Sequence, residues 1–246
     1  MSLKFVSLFA ALASLPLLPA HAAETTEAAI SAAERQQLPT LDKLTIKELE
    51  DRMAQGDLRA QAELGARYGR GQDVQADVPK AISLLKDAAA KNNAEAQHWL
   101  ATAYSNGVGV EKNEVEAAAL YEKAAAQGHR EAQYMMGTLI SNGQAGFASS
   151  WTGAFPYFWK SADQGLAVAE FMIGYIYQEG KGVDVNPQIA AYWYRRALAR
   201  GPHTKAAFNL ALMIGQGTIE WQPTDPFDKP PDKTTGTQKD PAAPVS

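Results

Sequence analysis

The sequence contains no cysteine. That absence removes disulfides, thiolate metal sites, iron–sulfur clusters and cysteine nucleophiles in one step. A strong charge of either sign is also missing: 23 Lys and Arg stand against 27 Asp and Glu, a formal net charge of −4. Such a mildly acidic chain has no general electrostatic attraction to DNA, RNA or anionic lipid. There is no His-x-x-x-His spacing for zinc, no Gly-x-Ser-x-Gly elbow and no phosphate loop. Gly69-Arg-Gly71 and Gly180-Lys-Gly182 lack a flanking strand pattern and read as helix–helix turns. What is present is ordinary: 246 residues, 46% hydrophobic and 20% charged, enough for a sizeable core and unlike a wholly disordered chain.

The first residues carry an address. Lys4 is followed by an apolar stretch from Phe5 to Leu18 and by Ala20-His21-Ala22, the pattern of a secretory leader. Cleavage is predicted after Ala22, with residues 1–22 as signal peptide. The apolar stretch is short of the roughly 20 residues that span a bilayer, so no integral membrane segment is predicted after cleavage. The mature protein is expected in a bacterial periplasm.

Repetition sets the architecture. At a spacing of 36 or 37 residues, Ala60–Tyr68, Ala96–Tyr104, Ala132–Ile140, Ala169–Tyr177 and Ala206–Ile214 fall into register. Each stretch has an apolar residue four positions after its first Ala, then a small one: Gly65, Ala101, Gly137, Gly174 or Ala211. Gly71, Gly107, Gly143, Gly180 and Gly217 follow at a constant offset. Offsets of 4, 5 and 8 share one helical face, and a trailing glycine ends the helix. The small residue predicts close approach by a neighbouring helix. A second helical pattern follows each of the first four glycines, on Ala81/Leu85/Ala88, Ala117/Tyr121/Ala124, Ala154/Phe158/Ser161 and Ala190/Tyr194/Ala197. Leu44–Ala54 has the register of the second helix of an incomplete leading repeat. Helix pairs of this kind bury both faces only when stacked.

The Ala-x-x-x-Leu-Gly-x-x-Tyr-x-x-Gly first helix resembles the Sel-one-like repeats, a tetratricopeptide-like subclass of α/α solenoids. So do the Gly107-Val-Gly-Val110 and Gly180-Lys-Gly-Val183 loops, the Trp193-Tyr194…Ala197…Gly201 signature and the Lys123–His129 stretch. The resemblance implies an all-α right-handed superhelix with a capping helix over 41–57. Its repeats fall at about 58–93, 94–129, 130–166 and 167–203, with a partial one at 204–219. Repeat three departs from the pattern: its loop, Ser141–Trp151, carries one extra residue. Residues 23–40 read as a flexible arm. Residues 220–246, with six prolines, read as a disordered tail.

Function is expected from a surface. His98, His129 and His203 are read as contact or turn residues rather than catalysts, and no catalytic residue, cofactor or metal ligand set is predicted. In tetratricopeptide-like stacks the first helices line a concave groove. That geometry, transferred by resemblance, nominates Arg59, Glu95, His98, Thr102, Ser105, Glu131, Tyr134, Thr138 and Ser141 in a polar half. It nominates Phe171, Tyr175, Gln178, Lys205, Phe208 and Leu212 in an aromatic half. The span from Phe147 to Tyr194 holds 12 of the 22 aromatic residues. Phe147 and Trp151 lie in the irregular third loop, outside the core pattern, and are expected to form the principal contact with the adjacent aromatic groove.

The resemblance implies a module that binds another protein. One sharper form is an immunity protein that occludes a toxin, such as a phospholipase delivered by type VI secretion. The alternative is a scaffold for cell-envelope or polysaccharide machinery. A β-lactamase-like enzyme, as in cysteine-rich relatives, is disfavoured because there is no disulfide. A saccharide binder would stack sugars on Trp151, Trp159 or Tyr175.

Overall fold

A computed structural model of the chain describes residues 40–219. The expected leader, nearly all of the expected arm and the proline-rich tail lie outside the described residues. Contacts divide the chain into two units, 1–44 and 45–246. In the first, the described residues hold one 3₁₀ turn, Leu41–Lys43, closed by the Lys43 amide on the Thr40 carbonyl.

In the second unit the described residues form ten α-helices and no strand. They are α1 (Ile46–Ala54), α2 (Leu58–Arg70), α3 (Val78–Ala90), α4 (Ala94–Asn106), α5 (Glu114–Ala126), α6 (Arg130–Asn142), α7 (Trp151–Asp163), α8 (Ala167–Glu179), α9 (Pro187–Ala199) and α10 (Thr204–Gly215). Each helix packs on the next in sequence, and α2 also touches α4. The fold is an all-α solenoid of helix pairs α2/α3, α4/α5, α6/α7 and α8/α9, with α1 before them and α10 after.

The helix boundaries follow from caps. Asp77, Asn113, Ser150 and Asn186 start the second helices, each accepting a backbone N–H three residues on. Asp57 and Asn93 do the same for α2 and α4. At α6 and α10 the cap is a histidine: Nδ1 of His129 accepts from the Ala132 amide at 3.3 Å, and Nδ1 of His203 from the Ala206 amide at 3.2 Å. Both turn histidines are therefore structural, as the repeat spacing suggests. First helices α2, α4, α6 and α8 end on Gly71, Gly107, Gly143 and Gly180, all left-handed.

The small residue of each first helix does what its position predicts. A Cβ at Gly65 would lie 2.9 Å from Leu85, at Gly137 2.8 Å from the Phe158 ring, and at Gly174 2.7 Å from the Tyr194 ring. The second helix is thus seated against the first helix's backbone. Phe158 and Tyr194 are wholly buried in these seats.

Phe147 has a packing role within its loop. It packs half-buried with the loop residue Val110, and with Ile140 and Tyr157, on the core cluster of the first three repeats. Val183 packs in the same way on the C-terminal cluster. Phe147 therefore fills the place of the loop valine, the extra residue being absorbed at Ala145 and Gly146, both at positive φ. Trp151 starts α7 and packs on the other, C-terminal cluster.

Candidate functional site

The solenoid register places the nominated residues in columns, one member per first helix. His98, Tyr134, Phe171 and Phe208 form one column; Thr102, Thr138, Tyr175 and Leu212 form the next; Arg59, Glu95, Glu131 and Lys205 occupy a third, with Val168 between the last two.

Two kinds of neighbour hold the members of the aromatic column. One is the aromatic residue of the same repeat's second helix: His98 on Tyr121 (5.7 Å between ring centroids), Tyr134 on Phe158 (5.7 Å) and Phe171 on Tyr194 (5.6 Å). The other is the cap of the following first helix: His98 stacks on His129 at 4.6 Å and Phe171 on His203 at 4.9 Å. Phe208 is the last of the column. Among the described residues it has neither a second helix of its own repeat nor a following cap, and it is 66% exposed. Leu212, one turn on, is 42% exposed.

The polar half is largely occupied with itself. Glu95 accepts from the Trp99 indole N–H at 2.7 Å and pairs with Nε2 of His129 at 3.0 Å. Because Nδ1 of His129 accepts the cap bond, Nε2 carries the proton and donates to Glu95. The His129 hydrogen bond holds the Glu95 carboxyl below the usual carboxylate range. Burial, with His129 alongside, pushes His98 down to about 4, and its Nδ1 is buried without a partner among the described residues. Thr102 and Thr138 hydroxyls bond back to the His98 and Tyr134 carbonyls, and Thr102 also meets the Tyr121 hydroxyl at 3.0 Å. Ser141 is buried and donates to the Thr138 carbonyl. Glu131 pairs with its neighbour Arg130 at 2.8 Å. Arg59 and Ser105 remain at the surface, exposed and half-exposed.

The aromatic half is different. Tyr175 lies between Phe171 (6.4 Å) and Trp151 (6.1 Å), and Lys181 sits over the Trp151 ring at 5.7 Å. Gln178 accepts from the Tyr194 hydroxyl at 2.6 Å, and Asn209 donates to that hydroxyl at 2.9 Å. Burial pushes the Tyr194 phenol up to about 12. Between α8 and α10 a recess of about 500 Å³ opens, lined by Phe171, Met172, Tyr175, Lys205, Phe208 and Asn209, with Thr204 at its edge. The structure thus brings Trp151, Phe171, Tyr175, Gln178, Lys205 and Phe208 into one region. Phe147 and the acidic pair Glu95/Glu131 lie with earlier repeats.

One polar feature escaped the sequence reading. Gln61, Gln97 and Gln133 occupy one register position and are buried, each donating to a backbone carbonyl of the preceding or partner second helix. Gln97 accepts from Gln127 at 2.7 Å and Gln133 from Gln164 at 2.8 Å, so the amides clip successive repeats together. In repeat four the position is Glu170, fully buried, and the residue in register with Gln164 is Arg200. Arg196 and Arg200 approach the Glu170 carboxylate at 3.1 and 3.5 Å. Burial nonetheless raises its pKa, because the ion pairs do not fully offset desolvation. The signal was present in the aligned repeats as a Gln-to-Glu change matched by a Gln-to-Arg change.

No group of three or more His, Asp or Glu among the described residues is arranged to hold a metal ion. No described helix is long and apolar enough to cross a membrane.

Comparison with known proteins agrees with this geometry. The family model described as Sel1 repeat matches residues 58–93, 94–129, 130–149, 167–202 and 204–226. Among solved structures, c5321, a protective antigen present in uropathogenic Escherichia coli strains and displaying an SLR fold, is 28% identical with a TM-score of 0.64. The match covers 71% of this chain and 37% of that one. A Sel1 repeat protein from Oxalobacter formigenes is 28% identical with a TM-score of 0.61, covering 65% of each chain. Among curated proteins, the chitin synthase regulator SKT5 of Saccharomyces cerevisiae is 41% identical over 56 residues, 23% of this chain and 8% of that protein. The chain spans less than two thirds of the length of each of these relatives.

Proposed function

The chain belongs to the Sel1 repeat family, whose members are protein-interaction modules, and from that premise we propose that it holds another protein against the aromatic half of its first-helix face. The observation that carries this reading is the end of the aromatic column. Phe208 and Leu212 stand exposed beside a recess floored by Phe171 and Tyr175, and exposed aromatics beside a pocket are the usual anchors of a protein interface. The polar half contributes rigidity instead, since Glu95 and His129 satisfy one another and the His98 ring stacks on His129. Phe147 is left out of the contact surface. No catalytic role is proposed.

The setting is inferred from the N-terminal pattern alone: export, cleavage after Ala22 and residence in a periplasm. The partner proposed is a toxin that the module occludes, as an immunity protein would a type VI phospholipase, since a rigid acidic surface without chemistry of its own can neutralise an enzyme by covering it. A scaffold for envelope or polysaccharide machinery is the second reading, favoured by the 56-residue match to a chitin synthase regulator. Affinity capture from periplasmic extract by the full chain, read by mass spectrometry beside a Tyr175→Ala/Phe208→Ala double variant, tests both. A stoichiometric toxin that the variant loses supports occlusion. Envelope-assembly proteins lost in the same way support the scaffold, and capture indifferent to the variant refutes the site.

A further inference from the structure

The recess between α8 and α10 has a candidate occupant within the chain itself. Helix α10 keeps the features of a first helix that receives a partner: Ala211 stands at the register of Gly65, Ala101, Gly137 and Gly174. Among the described residues no second helix follows it. The chain then turns at Gly217, buries Ile219 on the C-terminal core cluster and continues for 27 more residues. After Glu220 these read Trp221-Gln-Pro-Thr-Asp-Pro-Phe-Asp-Lys-Pro-Pro231.

We infer that residues 221–231 fold back onto the recess and cover Phe208, acting as a built-in competitor of whatever protein binds there. Reach permits it. Phe208 and Ile219 are 11 residues apart, seven steps within α10 and four beyond it, so at most about 25 Å separates them. An extended proline-rich segment advances about 3.1 Å per residue, so about eight residues bridge even that gap and bring Phe227–Pro231 over Phe208. The chemistry matches as well. Proline rings dock on aromatic-lined grooves with little loss of conformational entropy because their backbone is already restricted, and Phe171, Tyr175 and Phe208 form such a lining. Phe227 supplies a further apolar group. Lys205 on the recess lining complements Asp225 and Asp228, the two acids of the segment. The inference rests on the recess being a binding surface, as proposed above, and not on the partner's identity.

The absence of cysteine permits a clean test on the full chain. Thr234→Cys, beyond the docking stretch, gives a unique attachment site for a nitroxide. The measurement is paramagnetic broadening of Met172 and Leu212 methyl resonances in the isolated protein. Docking predicts that these signals lose most of their intensity while Met136 and Leu64 keep theirs. Phe208→Ala in the labelled chain should restore them. A mixture of isotope-labelled chain without nitroxide and unlabelled chain with nitroxide should show no broadening. Broadening in that mixture would assign the recess to a second copy and overturn the inference. No broadening in the labelled chain would overturn it too, leaving the recess to a foreign partner. Because no partner is added, either failure leaves the Tyr175/Phe208 capture result standing on its own.

Discussion

Lowering the pH should loosen the solenoid at one identifiable place, the stacked pair His98/His129 between repeats two and three. His98 has an ordinary value of 6.5 and is pushed to about 4 by burial, with the neighbouring His129 ring adding to the shift. The sign follows from linkage. Above pH 6.5 the ring is neutral in both folded and unfolded chains and contributes no pH dependence. As pH falls from 6.5 to about 4 the unfolded chain takes up the proton and the folded chain does not, so stability is lost across that window and levels off below it. At pH 4.5 the two values correspond to a loss of about 2–3 kcal/mol relative to pH 7.5. The His98→Phe variant removes the titration and keeps the stack, because Phe171 holds the same column position on His203. Urea denaturation of both proteins at pH 7.5 and pH 4.5 isolates the term, since Glu95 and the other carboxylates titrate in both. The variant should resist acidification better by about 2–3 kcal/mol, with similar stability at pH 7.5. Equal losses in the two proteins would refute the placement of His98 in a desolvated stack.

Three further outcomes follow from the packing. Gly174→Ala should destabilise the fold by about 1–2 kcal/mol, an overpacking cost bounded from above because Ala101 is accommodated in the same register over Tyr121; urea midpoints read this, and a stabilised variant would contradict the seat described for Tyr194. Arg196→Ala should cost about 3 kcal/mol at pH 7.5 by leaving Glu170 buried with Arg200 alone at 3.5 Å, and adding Glu170→Gln should recover most of it by restoring the amide of the other repeats. Thermal unfolding of single and double variants checks this pair, and failure of the second change to rescue would contradict it. His203→Ala should cost about 1 kcal/mol as a lost helix cap, whereas His203→Asn should be near neutral because Asn93 caps α4 at the same register; equal losses would show that stacking on Phe171 matters more than the cap.

Much of this was legible in the chain because repetition multiplies weak signals. A single Gly65 between two helices means little, but small residues at five registered positions specify a close helix–helix approach, and the structure places Leu85, Phe158 and Tyr194 against three of them. The columns of the first-helix face could be written down for the same reason. Whether a column residue is covered could not be read so easily, because that depends on its neighbours in two adjacent repeats. Phe171 is a wall of the recess and also a stacked core member, while Phe208 is exposed because no second helix follows α10 among the described residues. Phe147 was set apart as a contact residue because its loop breaks the spacing; in three dimensions the insertion is absorbed by two positive-φ residues and the ring lands where the valine belongs. Glu170 illustrates the converse, a charge wholly inside the stack whose partners lie 26 and 30 residues away.

The central claim is that the aromatic end of the first-helix face, not its polar beginning, grips a protein partner. The most direct measurement compares capture by the wild-type full chain, the Tyr175→Ala/Phe208→Ala variant and an Arg59→Ala/Glu131→Ala variant, each first verified as folded by its thermal transition. The account predicts one stoichiometric partner retained by the wild type and the polar-half variant and lost by the aromatic-half variant. Retention by the aromatic-half variant, with loss in the polar-half one, would contradict it.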